Sequence, residues 1–378
     1  MSKFFFFETQ VMELLATTGK HSGGAAVQTL VWMEGLLENG HQVIQAKFEN
    51  DHRGIRPQYK NFEYVSLYHH QKGLRILRWA SYRLPKIFGI LSKEKPDFLY
   101  ESTPFWGSYW VSFFCKILGI KHIIRISNDN LLDKRLRNTV SKSHQFFLFL
   151  GLRFCDYILA QNDYQYEVLL AKFPRKKILK IHNPIIIDEN FLNSKSEPKG
   201  YLAWVANFRY QKNLKLLFEI VNSLPNEFIK IAGNPTNKID SESKEYVQKL
   251  KELPNVEFMG KIEREDLLPF LKGAKFLLNT SRYEGFSNTF LEAMTVGTPI
   301  LSTPLVNPDQ IISNHHLGII YTDPTDLVQK INSITGTDYK KMSENCLAYL
   351  QEFHDHRRLT QKLERFLGIF SKQPSEKS

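Results

Sequence analysis

Short apolar runs alternate with longer amphipathic stretches along almost the whole chain, and the alternation starts afresh at the middle. In the first half the runs fall at 4–7, 41–48, 98–100, 123–126, 157–160 and 178–181. In the second half they fall at 201–205, 228–232, 256–259, 276–279, 300–302 and 318–321. Strands that alternate with helices build βαβ units and therefore parallel, helix-covered sheets. Two rounds of the pattern in 378 residues are expected to give two α/β domains, at 1–190 and 191–370, with a disordered tail at 371–378. The join is polar (188–200) and is broken by Pro198. In open α/β sheets ligands gather at the carboxyl ends of the strands. The residues just after each strand, and a cleft between two such domains, are therefore where chemistry is expected.

The richest of these stretches is 281–299, Ser-Arg-Tyr-Glu-Gly-Phe-Ser-Asn-Thr-Phe-Leu-Glu-Ala-Met-Thr-Val-Gly-Thr-Pro. It reads as a strand end, a loop and a short helix that Ser287, Asn288 or Thr289 can cap and that Gly297-Thr298-Pro299 stops. A helix N-terminus presents unpaired N–H groups and the positive end of a dipole, which suits a diphosphate. Glu284 lies in the loop and Glu292 about one turn into the helix. Carboxylates accept hydrogen bonds from paired sugar or ribose hydroxyls. A second stretch, 204–214, follows the first strand of the second half and carries Arg209 and Lys212 three residues apart. A guanidinium fork and an ammonium at that spacing can hold phosphate oxygens together. Taken singly, such residues are ordinary surface charges; it is their combination that carries the reading.

With Gly285, Phe286, Ala293, Met294, Gly297 and Pro299, the 284–299 segment resembles the E-x7-E signature of retaining glycosyltransferases of family 4. The resemblance implies the GT-B fold, two Rossmann-like α/β domains facing across a cleft. It further implies that Glu284 holds donor-sugar hydroxyls, that Glu292 holds the ribose, and that Arg209 and Lys212 grip the donor diphosphate. The family's glycine before that arginine is replaced by Phe208. Gly233-Asn234 and Gly260-Lys261 resemble its nucleotide-binding loops, and Gly23-Gly24 its glycine pair before the first helix. Gly40-His41 also matches, with His41 expected to be structural. The clearest departure is after residue 126, where many relatives have a histidine; here Asp129 is a candidate acceptor base or sugar ligand, or else a plain loop aspartate. The resemblance also implies a UDP- or GDP-linked donor, a saccharide or lipid-linked saccharide acceptor, retention of anomeric configuration and a place in polysaccharide biosynthesis. No cofactor and no metal are expected, because no Asp-x-Asp pair stands at a strand end and basic residues and a helix dipole serve the leaving group. Nucleotide-sugar 2-epimerases also use GT-B halves but lack the 284–299 segment in this form.

Charge separates the halves. The chain carries +11, and residues 1–190 hold 26 Lys and Arg against 17 Asp and Glu. That excess suits an anionic partner. Residues 72–95 interleave seven basic with aromatic and aliphatic residues and can form a helix for an anionic membrane surface, with Pro85 interrupting it. The alternative is a core-facing helix with a solvated basic side. No nucleic-acid motif is present, nor GxxxxGK[ST] or GxGxxG. Cys115, Cys155 and Cys346 form no CxxC pair, which fits a reducing compartment. No apolar run approaches the roughly 20 residues of a membrane span, and Phe4–Phe7 is too short for a signal-peptide core. A cytoplasmic protein, peripheral on the inner face of the cytoplasmic membrane, is expected.

Overall fold

A computed structural model describes residues 1–19, 23–75, 77–136, 140–235 and 239–369. The chain forms two units, Met1–Ile186 together with the segment from His356 onward, and Ile187–Asp355. The expected tail at 371–378 lies outside the described residues.

In the first unit seven strands form one parallel sheet: β1 Lys3–Phe6, β2 Gln42–Lys47, β3 Glu63–Ser66, β4 Phe98–Glu101, β5 Lys121–Arg125, β6 Tyr157–Ala160 and β7 Lys177–Lys180, in the order β3-β2-β1-β4-β5-β6-β7. The run of phenylalanines explains why β1 is central. A strand covered by helices on both faces has no polar side. Phe4 and Phe6 pack with Trp32 and Met33 on one face, while Phe5 packs with Leu99 and Ile87 on the other. The longer helices of this unit are α1 Gly24–Glu38, α2 Leu84–Glu94, α3 Ser108–Leu118, α4 Lys142–Phe154 and α5 Asp163–Lys172. Helix α1 stops at Asn39-Gly40, where Gly40 adopts φ +80°, a conformation that favours glycine.

Within the 72–95 segment, helix α2 turns its apolar side to the core, while Leu74 and Leu77 before it stay exposed. Ile87 and Leu91 of α2 are fully buried. Arg83, expected on a basic outer face, is buried as well. Its guanidinium lies 4.9 Å from the Trp79 ring and 5.1 Å from the Tyr68 ring, and it donates to the His70 carbonyl at 2.7 Å. Pro85 does not end the helical run but marks a change in it. A π-helical turn, Trp79–Arg83, leads straight into α2, and the change of helix type falls just before Pro85, where the missing N–H has no α-helical partner to lose.

The second unit repeats the plan with β8 Tyr201–Val205, β9 Ile229–Ala232, β10 Val256–Gly260, β11 Ala274–Leu278, β12 Ile300–Ser302 and β13 Gly318–Ile320, all parallel, in the order β10-β9-β8-β11-β12-β13. Counted from its own first strand this is the Rossmann order 3-2-1-4-5-6. Its longer helices are α6 Leu214–Ser223, α7 Ser241–Lys251, α8 Arg264–Lys272, α9 Asn288–Thr295, α10 Pro324–Ser333 and α11 Gly336–Phe353.

The last helix, α12 His356–Leu367, leaves this unit and packs on α1, so the expected boundaries of 1–190 and 191–370 are redrawn. Leu359, Leu363 and Leu367 join the core of the first unit. A Cβ on Gly35 would lie 2.2 Å from Thr360 Oγ1, so glycine is what lets the two helices meet. Glu364 accepts from Asn39 Nδ2 at 2.9 Å and contacts His41 Nε2 at 2.8 Å; His41 Nδ1 accepts from the Ser2 amide at 3.1 Å. His41 is thus a buried structural residue, as expected. The three cysteines are buried and free. Among the described residues no helix is long and apolar enough to cross a membrane.

Candidate functional site

Strand order in the second sheet reverses between β8 and β11, which are hydrogen-bonded neighbours. Ligands in such sheets lie beyond the carboxyl ends of the strands at this switch point. The loops that leave β8 and β11 there, 206–212 and 279–287, fall within or overlap the two stretches singled out in the sequence, 204–214 and 281–299.

The loops are laced together. The Trp204 indole donates to Thr280 Oγ1 at 3.0 Å, and that hydroxyl donates to the Lys212 carbonyl at 2.8 Å. The Arg282 amide donates to the Gln211 carbonyl at 2.8 Å. The Arg282 guanidinium lies 3.9 Å over the Tyr210 ring, donates to the Tyr210 carbonyl and pairs with Glu242 at 2.7 Å. Asn213 closes the first loop with φ +54° and caps α6 through its side chain. Asparagine is among the few residues that take this left-handed turn readily.

The lacing brings Lys212 and Glu284 into a direct ion pair, with only 14% and 10% of their side chains exposed. Gln211 completes the arrangement. Its amide donates to the Tyr283 carbonyl at 2.8 Å and to the second Glu284 oxygen at 3.1 Å. Glu284 is therefore held by an ammonium on one oxygen and an amide on the other. Each oxygen keeps lone-pair capacity for a further donor, and the ammonium has N–H groups to spare. Arg209 differs: it is exposed, and among the described residues no carboxylate pairs with it. Gln211 and Arg282 were not singled out in the sequence. The one available signal was that Gln211 sits between two residues that were.

Helix α9 begins at Asn288, and none of the expected side-chain caps is present at its Ncap. Ser287 occupies that position without accepting from a backbone N–H of the helix, and its hydroxyl pairs instead with the Thr289 hydroxyl at 2.8 Å. Glu292 lies in the second turn, half-buried, and burial pushes its carboxyl up to about 7, with Arg264 opposing. Phe290 and Met294 anchor the helix in the core.

Beside these loops, Gly233 has φ +138°, and a Cβ there would lie 1.9 Å from the Ala206 carbonyl oxygen. Its amide donates to the Gly260 carbonyl at 2.7 Å, and the Phe208 amide donates to the Asn234 carbonyl at 3.0 Å. This close backbone approach sets the level from which Arg209 projects. Phe208, the departure from the family pattern, is buried against Trp204 and Phe258, so the bulky residue is absorbed by the core. Lys261 pairs with Glu263 at 2.6 Å.

In the first unit Gly23 is the Ncap of α1 and Gly24 its first residue. Among the described residues nothing lies within 4 Å of a Cβ placed on Gly23. Asp129, in the loop after β5, accepts from Gln165 Nε2 at 2.8 Å and Asn162 Nδ2 at 3.1 Å. Burial raises its carboxyl above the ordinary value, against those two hydrogen bonds.

Residues 187–349 match the family model described as glycosyl transferases group 1. The chain is 24% identical over 331 residues to an uncharacterized glycosyltransferase of Methanocaldococcus jannaschii, covering 79% of this chain and 80% of that protein. Among solved structures it is similar to Anabaena HepE in complex with UDP-glucose, with TM-score 0.74, 15% identity and coverage of 97% and 100%. It is likewise similar to sucrose-phosphate synthase of Thermosynechococcus elongatus, with TM-score 0.76, 13% identity and coverage of 97% and 98%. The chain has the GT-B fold, and these likenesses support a glycosyltransferase.

Proposed function

We propose that the chain is a retaining hexosyltransferase of glycosyltransferase family 4. In this reading the second unit binds a UDP- or GDP-linked sugar, and the first receives a saccharide or lipid-linked saccharide acceptor. The observation that carries it is the set formed by Lys212, Gln211 and Glu284 at the switch point of the second sheet, with the uncommitted guanidinium of Arg209 on the same loop. The UDP-glucose in the HepE structure supports the donor class.

Arg209, the spare N–H groups of Lys212 and the positive end of α9 would hold the diphosphate. Glu284, fixed by its two partners, would accept from the donor sugar's hydroxyls, and Glu292 from the ribose. The bond between the anomeric carbon and the phosphate oxygen breaks, and its electron pair stays with the diphosphate. The acceptor hydroxyl bonds to that carbon on the same face, and its proton passes to the departing phosphate oxygen. The protein's share is positioning and charge stabilisation. Arg209 and Lys212 would supply positive charge at the leaving group, so in this reading neither a metal ion nor a cofactor is required. Asp129, held by two side-chain amides, would orient an acceptor hydroxyl or bind a sugar hydroxyl. Gly23, Gly24, Gly233, Asn234, Gly260 and Lys261 would supply close backbone approach and nucleotide contacts. We place the reaction in polysaccharide biosynthesis at the cytoplasmic side of the membrane.

A thermal-shift panel of UDP- and GDP-sugars tests the reading. A donor at a hundredfold over its Kd adds about 2.7 kcal/mol of stability. A clear upward shift with sugars of one base is expected; no shift with any member of the panel contradicts it.

A further inference from the structure

Helices α3 and α4 of the first unit pack side by side. Gly151 makes this possible, because a Cβ there would lie 3.1 Å from both Ser108 Cβ and the Tyr109 amide. Inward, the pair buries Val111, Cys115, Leu148 and Leu152. Outward it is also apolar: Phe113 is 37% exposed, Ile117 57% and Phe146 58%. The Tyr109 ring joins these into one surface, lying 6.3 Å from Phe113 and 5.8 Å from Phe147, which touches Phe146. A contiguous exposed apolar surface on a soluble domain marks an interaction site.

Its charge says with what. Over their full lengths the two helices contain no aspartate or glutamate, and their charged residues, Lys116, Lys142 and Arg153, are all exposed cations. Lys116 reaches over the Phe154 ring at 5.1 Å. The first carboxylate after α4, Asp156, is already engaged by the His122 amide at 3.0 Å and Lys121 at 3.4 Å. A second copy of the chain is a poor occupant, since a two-fold pairing would set this acid-free surface against its own cations. Aromatic rings flanked by lysine and arginine suit the boundary between acyl chains and anionic headgroups.

We propose that the α3–α4 face docks the first unit on an anionic lipid bilayer. Helix α2 itself spends Ile87 and Leu91 on the core, whereas the stretch before it leaves Leu74 and Leu77 exposed beside Lys72 and Arg75, so the α3–α4 variants below decide which face docks. The proposal stands apart from the donor-site reading, since vesicle binding is measured without any substrate.

The test is co-sedimentation of the full chain with phosphatidylcholine vesicles, with and without added phosphatidylglycerol, at low and high salt. Binding is expected to need phosphatidylglycerol and to weaken with salt. Each basic residue at such a surface contributes about fivefold to partitioning, so the double variant Lys116→Glu/Arg153→Glu is expected to lose about 25-fold or more. Ile117→Ser/Phe146→Ser removes inserted apolar area and is expected to lose about tenfold or more. All four side chains are exposed or ride on exposed stems, so unfolding midpoints are expected to stay near wild type. If one pair unfolds, the other still decides. No binding, equal binding to neutral vesicles, or anionic binding that both double variants leave intact overturns the proposal. So does a wild-type dimer in sedimentation velocity that these variants dissociate.

Discussion

Replacing Lys212 by Met removes one partner of its ion pair and leaves the Glu284 carboxylate, with a tenth of its side chain exposed, held by Gln211 alone. Unit charges about 4 Å apart attract by about 4 kcal/mol at the effective dielectric of a protein surface, and breaking a wholly buried pair costs about 3–5 kcal/mol. The remaining exposure and the Gln211 bond at 3.1 Å reduce this, and we expect Lys212→Met to cost about 2 kcal/mol, a shift of roughly 4–8 °C for a unit of this size. Glu284→Gln, which removes the charge but keeps hydrogen-bonding capacity, should cost less. In the double variant no unpaired charge remains, so its loss should fall short of the sum of the singles by about 1–2 kcal/mol. Differential scanning calorimetry of the full chain follows the transition of the second unit in all four proteins. Purely additive losses would show that Lys212 and Glu284 do not meet in solution and that Glu284 is not held ready for a ligand.

Gly233→Ala forces a side chain into a backbone conformation that suits glycine and against the Ala206 carbonyl; a loss of about 3 kcal/mol or more in chemical denaturation is expected. Glu292 provides a pH signature: its carboxyl stands at about 7 instead of the ordinary 4.5, so the free protein binds the extra proton between those values and loses that stabilisation as pH rises through about 7. Donor binding, which needs the carboxylate as acceptor, should tighten over the same rise, and Glu292→Gln should flatten both profiles in titration calorimetry. Transfer assayed in excess EDTA should proceed at the uninhibited rate, because Arg209 and Lys212 supply the positive charge; loss restored by Mg²⁺ or Mn²⁺ would reassign the leaving-group chemistry.

What could be read from the chain follows from how local each signal is. The strands with strong apolar runs were legible, β1 most of all, since only a strand covered on both faces needs consecutive phenylalanines. Strand β3 was not: Glu63-Tyr-Val-Ser66 is a half-polar edge that pairs, among the described residues, with β2 alone, and nothing within those four residues announces the pairing. The return of α12 to the first unit was hidden for a similar reason. Its leucine stripe is visible, but the surface that receives it, Gly35 and His41, lies more than 300 residues earlier. Helix α2 showed an apolar and a basic side, yet which side met the core depended on β-sheet neighbours such as Phe5 and Leu99. At the candidate site the residues whose chemistry depends on type and spacing, Arg209, Lys212, Glu284 and Glu292, stood out in the sequence. Gln211 and Arg282 did not, because their part rests on the distance between two loops about 70 residues apart in the chain.

The central claim is that the switch point of the second unit holds a nucleotide sugar through Arg209 and Lys212. Isothermal titration of UDP- and GDP-sugars into the wild-type chain and into Arg209→Ala tests it most directly. Arg209 is exposed and supports no other described side chain through an ion pair, so its removal should leave the unfolding midpoint unchanged. Charge-assisted phosphate contacts are each worth about 1.5–3 kcal/mol, and the account predicts saturable binding of one donor class that weakens by about tenfold to a hundredfold in the variant. Equal affinity in the two proteins, or no binding of any nucleotide sugar to wild type, would contradict it.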